Sequence, residues 1–108
     1  MTISEKFYLI KKACDQMKVC EVWLKDEPSP RVVQPLGICL TIKRGLIIVC
    51  KQTDGHFTKK NLPKTCNFPL DDLQKIRVLE KKFEVQRETY GEECAEWLVH
   101  IQPNQLSF

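Results

Sequence analysis

Gly45-Leu46-Ile47-Ile48-Val49-Cys50 is the stretch on which the reading of this chain turns. Five consecutive apolar residues follow a glycine, with Lys43-Arg44 before it and Lys51-Gln52 after the run. The run is too short for a self-supporting helix and is rich in β-branched side chains, which favours a strand buried on both faces. A strand with no polar face needs cover on every side. The flanking segments are therefore expected to wrap around residues 46–50, with one helix capping the open end.

Upstream, Ser4 to Lys18 reads as an amphipathic helix. Phe7, Ile10, Cys14 and Met17 recur at intervals of three and four, while Lys6, Lys11, Lys12 and Asp15 fill the other face. Ser4 is placed as N-cap and Glu5 in the first turn. Val19 to Lys25 alternates, with Cys20, Val22 and Leu24 on a buried face and Trp23 on the more polar one. Trp23 there is either a surface lid or a stacking platform for a ligand. Asp26-Glu27-Pro28-Ser29-Pro30 is a turn, because its prolines cannot continue a ladder. Arg31 to Gln34 is extended, Pro35-Leu36-Gly37 breaks it, and Ile38 to Ile42 is a further strand. Lys43-Arg44-Gly45 is then a hairpin turn into the strand Leu46–Gln52.

Downstream, Thr53 to His56 reads as a turn and Phe57 to Thr65 as a polar loop broken by Pro63. Cys66 to Phe68 is a short strand, Pro69 to Leu73 a single helical turn, and Lys75 to Phe83 the last strand of the core unit. Glu92 to Ile101 reads as either a short helix or a strand, ended by Pro103 in both cases, and is placed as a strand over Trp97 to Gln102. The expected architecture is mainly β: a small barrel of about five short strands with an N-terminal amphipathic helix. Residues 1–84 form the barrel domain with its leading helix. Residues 85–108 are a C-terminal extension, either an extra strand or the start of a following dimerisation segment.

The 108 residues are enough for one domain with a single core. The net charge of +3 is too mild for a dedicated nucleic-acid binder. No apolar run approaches the roughly 20 residues that span a bilayer, and the polar start lacks a secretory signal. The expected setting is cytoplasmic. The six cysteines show no C-x-x-C spacing and are read as free thiols acting as small core hydrophobes in a reducing compartment.

No catalytic constellation emerges. The glycines are scattered, and neither H-E-x-x-H nor G-x-S-x-G is present. Asp71-Asp72 reads as a turn pair facing water, and a pairing of Cys50 or Cys66 with His56 is of the kind that chance supplies among so many cysteines. No enzyme activity, cofactor or metal is expected. What remains is recognition: Arg31, Arg44, Lys51, Lys59, Lys60 and Lys64 fall in one segment, expected to be a barrel rim able to hold a phosphate beside Trp23.

Two blocks give this segment order a family likeness. Arg31-Val-Val-Gln-Pro-Leu-Gly37, followed by a strand, a turn and the apolar run, and then Phe68-Pro-Leu-Asp-Asp-Leu-x-x-Ile76-Arg-Val-Leu-x-x-x-Phe83-Glu84, together resemble the WYL-domain family over about residues 5–84. Trp23 stands where that family usually has a tyrosine in its first strand. The resemblance implies an Sm-like (SH3-like) barrel that serves as a sensor domain in bacterial transcription regulators. It implies a separate DNA-binding domain in the full-length protein and a ligand such as a nucleotide or single-stranded oligonucleotide; no membrane partner is expected, given the apolar runs above. Arg31 is the pocket residue that carries over, with Trp23, Lys25 and Lys64 around it. The signature Trp-Tyr-Leu reads Leu46-Ile47-Ile48 here, an expected arginine is Asp72, and an expected basic position is Cys66. Either the ligand differs, or the pocket is degenerate and the domain is a protein-interaction module, for instance a homodimer built on the apolar tail (Trp97, Leu98, Val99, Ile101, Leu106, Phe108).

Overall fold

A computed structural model describes residues 1–56, 62–84 and 90–101. Helix α1 (Ile3–Gln16) is followed by β1 (Lys18–Leu24), β2 (Arg31–Thr41), β3 (Gly45–Gly55), β4 (Lys64–Pro69), a one-turn 3₁₀ segment (Leu70–Asp72), β5 (Leu73–Lys82) and β6 (Glu96–His100). The strands form one six-stranded antiparallel sheet whose main path runs β4-β3-β2-β1-β5, with β6 added on β2. The mainly β architecture with a leading amphipathic helix is as expected. The meander is joined to β5 through a 3₁₀ turn, giving a small antiparallel β domain. The strand count is six rather than five, because the chain returns to cover β2 a second time.

The apolar run sits where its composition requires. Ile47, Ile48, Val49 and Cys50 are fully buried, with β2 on one edge of β3 and β4 on the other. The strand continues to Gly55, through the segment expected to turn at Thr53. Gly55 has φ +88, and a Cβ there would lie 2.4 Å from the Pro30 carbonyl oxygen, so only glycine fits.

β2 is one continuous strand and not two pieces broken at Pro35-Leu36-Gly37. The pairing with β3 shifts register between Pro35 and Gly37, so the proline, which has no N–H to donate, is absorbed in a bulge. The bulge lets one strand take two neighbours on its second edge. Arg31 to Val33 pair with β1, and Gly37 to Leu40 pair with β6.

The N-cap is Thr2 and not Ser4. Its Oγ1 accepts from the Glu5 N–H at 3.1 Å, and the Glu5 carboxylate accepts from the Thr2 N–H at 3.2 Å, closing a capping box. Ile10, Ala13 and Cys14 bury the apolar stripe. Lys6, expected on the solvent side, is also buried, with its Nζ donating to the Asp71 carbonyl oxygen at 3.4 Å. The helix is thereby pinned to the 3₁₀ turn between β4 and β5.

The reading of all six cysteines as free thiols is corrected. Cys39 of β2 and Cys94 form a disulfide across 55 residues of chain, while Cys14, Cys20, Cys50 and Cys66 are free. The bridge fastens the segment before β6 to the sheet, helped by Arg44, which pairs with Glu93 at 2.5 Å. Gly37 and Gly91 clear the space that the Trp97 indole fills: a Cβ at either would fall 2.7 Å or less from a ring carbon. Gly37→Ala is expected to lower stability by about 1–3 kcal/mol, as overpacking does. Gly45→Ala, with open space around its Cβ but φ +67, is expected to cost only about 1 kcal/mol. Urea midpoints at constant slope check this, and equal costs would count against the fit. Cys94→Ser is expected to cost about 4 kcal/mol in the chain-entropy account of a loop this long, read by the same titration in the absence of reductant.

Candidate functional site

The turn between β1 and β2 sets up the site. Asp26 takes a left-handed conformation (φ +66), and the Glu27 N–H returns to the Leu24 carbonyl oxygen at 3.2 Å. This brings Glu27 back over Arg31, the first residue of β2. Arg31 lies opposite Val22 of β1 and Gly55 of β3, so its side chain shares the inner face of the sheet with Val22.

The guanidinium is bound on three sides. Nε and Nη2 donate to the two carboxylate oxygens of Glu27 at 2.9 and 2.5 Å, and Nη1 donates to Gln52 Oε1 at 3.0 Å. Its central carbon stands 5.0 Å from the centre of the Phe68 ring, within cation–π range. Only 14% of the Arg31 side chain and 17% of Glu27 are exposed. Gln52 is fully buried and its amide donates to the carbonyl oxygens of Asp54 at 3.1 Å and His56 at 2.6 Å. The His56 N–H in turn donates to the Pro30 carbonyl oxygen at 2.9 Å. A half-buried charge needs such pairing, since unpaired it costs several kcal/mol. The Arg31 hydrogen bonds hold the Glu27 carboxyl below the usual carboxylate range, and Glu27 reciprocally raises Arg31.

β4 completes the inner face. Phe68, Cys66 and Lys64 lie opposite Ile48, Cys50 and Gln52. Burial pushes both thiols up, Cys50 strongly, while the Lys64 and Arg31 charges pull Cys66 back down. Arg31 and Lys64 are thus brought to the same face. Trp23 and Lys25 are not. Trp23 alternates with Val22 and faces outward opposite Lys75, whose Nζ stands 4.9 Å above its ring. Lys25 is exposed where β1 ends, its N–H donating to the Asp72 carbonyl oxygen at 3.0 Å.

The expected basic rim is likewise divided. Arg44 sits at the far end of the β2–β3 hairpin, paired with Glu93. Lys51 alternates with Gln52 and so leaves the inner face. Lys59 and Lys60 lie outside the described residues, as do Leu106 and Phe108 of the tail. Asp71 and Asp72 are exposed, and their carbonyl oxygens serve Lys6 and Lys25. His56 Nδ1 faces Ser29 Oγ at 3.3 Å. Among the described residues no three His, Cys, Asp or Glu side chains converge as a metal site.

Sequence reasoning passed over Glu27, Gln52 and Phe68. Gln52 carried a signal: by alternation it shares the face of Ile48 and Cys50, so a polar side chain is driven into the core and needs partners. Glu27 stands four residues before Arg31 in a turn, a spacing that identifies no contact by itself.

A second polar–aromatic cluster lies on β6. His100 stacks on Trp97 at 4.0 Å, with the Tyr90 hydroxyl 3.0 Å from its Nε2. Burial holds the His100 pKa below the usual imidazole value. A cleft of about 570 Å³ lies beside Met17, Lys18, Glu80 and Phe83, away from Arg31. Its walls carry charges of both signs, with Lys18 and Glu80 paired at 3.3 Å.

No protein-family model matches the chain, no curated protein matches it, and no solved structure matches it. No helix is long and apolar enough to cross a membrane among the described residues.

Glu27→Gln keeps the shape and removes the charge partner of Arg31. A charged hydrogen-bonded pair of this kind contributes about 1.5–3 kcal/mol, so the variant is expected to be less stable by that order near neutral pH. Because the folded-state pKa of Glu27 lies below its ordinary 4.5, this contribution is present above that value and is lost as pH falls through the folded one. The gap between wild type and variant should therefore close in acid, as measured by denaturation at several pH values. A gap independent of pH would show that the carboxylate charge is not what stabilises the turn.

Proposed function

We propose that this chain is a non-enzymatic sensor domain that binds an anionic ligand at the barrel mouth, where Arg31 supplies the fork and Lys64 the second cation. The observation that supports it is the Arg31–Glu27 pair itself. A bidentate carboxylate seated on a half-buried arginine, over an aromatic ring, occupies the position a ligand phosphate or carboxylate would take. In this reading Glu27 holds the site until an anion displaces it, and displacement releases the Asp26–Pro30 turn as the signal. The WYL-like segment order adds the setting: a regulatory module of a bacterial transcription regulator, linked to a DNA-binding domain, with a nucleotide or a short single-stranded oligonucleotide as the ligand class.

Calorimetric titration with nucleotides and short oligonucleotides tests it. Glu27→Gln should bind more tightly than wild type, because the competing charge is gone. Arg31→Lys should bind roughly tenfold more weakly or worse, because an ammonium offers no fork. Binding that is unchanged in both variants, or undetectable throughout, would overturn the assignment.

A second reading rests on a separate observation. Leu40, Ile42 and Leu98 are 40%, 92% and 45% exposed, and lie on β2, its hairpin and β6. Exposed apolar side chains beside the edge strand β6 fit contact with a second copy of the chain. Ile42→Lys and Leu98→Lys would then convert a dimer to a monomer in sedimentation. A wild type that is monomeric at all concentrations would remove this reading.

A further inference from the structure

Cys50 and Cys66 stand directly opposite each other on β3 and β4. Opposed residues of antiparallel strands have Cα atoms about 4.5–5.5 Å apart and side chains on one face. That spacing lies inside the window of about 4.4–6.8 Å that a disulfide spans. Cys50 Sγ already reaches across, donating to the Cys66 carbonyl oxygen at 3.6 Å. Both thiols are free.

The two differ in access. Cys50 is fully buried, while Cys66 is the only one of the four free cysteines that is not. Cys66 also sits next to cations on both sides: Lys64 two residues before it on the same face, and Arg31 above Phe68 two residues after it. Desolvation raises the Cys66 thiol above its usual value, and the two cations offset part of that rise. Cys14 and Cys20 are buried, so a small disulfide does not reach them, whereas Cys50 has to reach only a sulfur already carried by its cross-strand neighbour.

We propose that Cys66 is a thiol-modification site for low-molecular-weight disulfides, and that Cys50 is its resolving cysteine. The Cys66 thiolate attacks one sulfur of the small disulfide. The S–S bond of the reagent breaks, and one small thiolate leaves and takes up the proton that Cys66 released. Cys50 then attacks Cys66 Sγ in the mixed disulfide, losing its own proton to the second departing thiolate. Two protein thiols are oxidised to a cross-strand bridge and one small disulfide is reduced to two thiols. The bridge lies beside Phe68 and Gln52, so it stiffens the floor on which Arg31 rests. The inference does not depend on what binds at Arg31.

The test is incubation of the full chain with oxidised glutathione at mildly alkaline pH, followed by non-reducing peptide mapping by mass spectrometry. In wild type a linked Cys50–Cys66 peptide should accumulate, with no lasting glutathione on Cys66 and with Cys39–Cys94 intact. Cys50→Ala should retain glutathione on Cys66, and Cys66→Ala should take up none at Cys14, Cys20 or Cys50. Should either variant fold poorly, the wild-type map alone decides. An unmodified Cys66 overturns the proposal, as does glutathione that persists on wild-type Cys66 without the linked peptide.

Discussion

The rest of the structure depends on keeping water away from a strand with no polar face. Ile47 to Cys50 are fully buried, and burial of each large aliphatic side chain contributes roughly 1.5–3 kcal/mol. That gain holds only if the N–H and C=O groups between them are also paired, because an orphaned buried peptide group costs about as much as a side chain gains. Both edges of β3 are therefore occupied, by β2 and by β4. β2 must match an eleven-residue partner, and so runs unbroken through a proline that local reasoning treats as a stop.

The length of β2 creates the next requirement. Its second edge is longer than β1 can cover. The bulge at Pro35–Gly37 bends it, β1 takes the first part and β6 the second. An uncovered edge at that place would be an invitation to pair with another chain. The returning segment is held by the Cys39–Cys94 bridge and by the indole of Trp97 lying between Gly37 and Gly91. Residues far apart in the chain thus meet because one strand is bent.

At the start of β2 the same physics acts on a charge. Arg31 enters the inner face because β2 begins there, and a guanidinium so little exposed requires acceptors. Glu27 and Gln52 supply them, and the Phe68 ring lies 5.0 Å from the central guanidinium carbon. The thiols of Cys50 and Cys66 come beneath it for the same reason, since β3 and β4 pair in that register. The Arg31 cluster and the Cys50–Cys66 pair share one small space, which follows from packing two alternating strands around a buried cation.

Periodicity and composition by themselves determined the element types of the amphipathic helix, the alternating β1, the apolar β3 and the helical turn at Leu70–Asp72, while leaving the cap and the strand near Trp97 open. Those element types depend on local spacing and turn chemistry, which a linear string records. Arg31 stands out only as one cation of a basic segment and through the family resemblance, not through any local period. Tertiary structure alone decided that Arg31 and Lys64 share a face while Trp23 and Arg44 lie elsewhere, that Cys39 meets Cys94 but Cys50 faces Cys66, and that Lys6 is buried. Those outcomes depend on register and on the bend of β2. A one-residue shift in pairing moves every side chain to the opposite face, and no short-range pattern encodes which register the assembled sheet adopts.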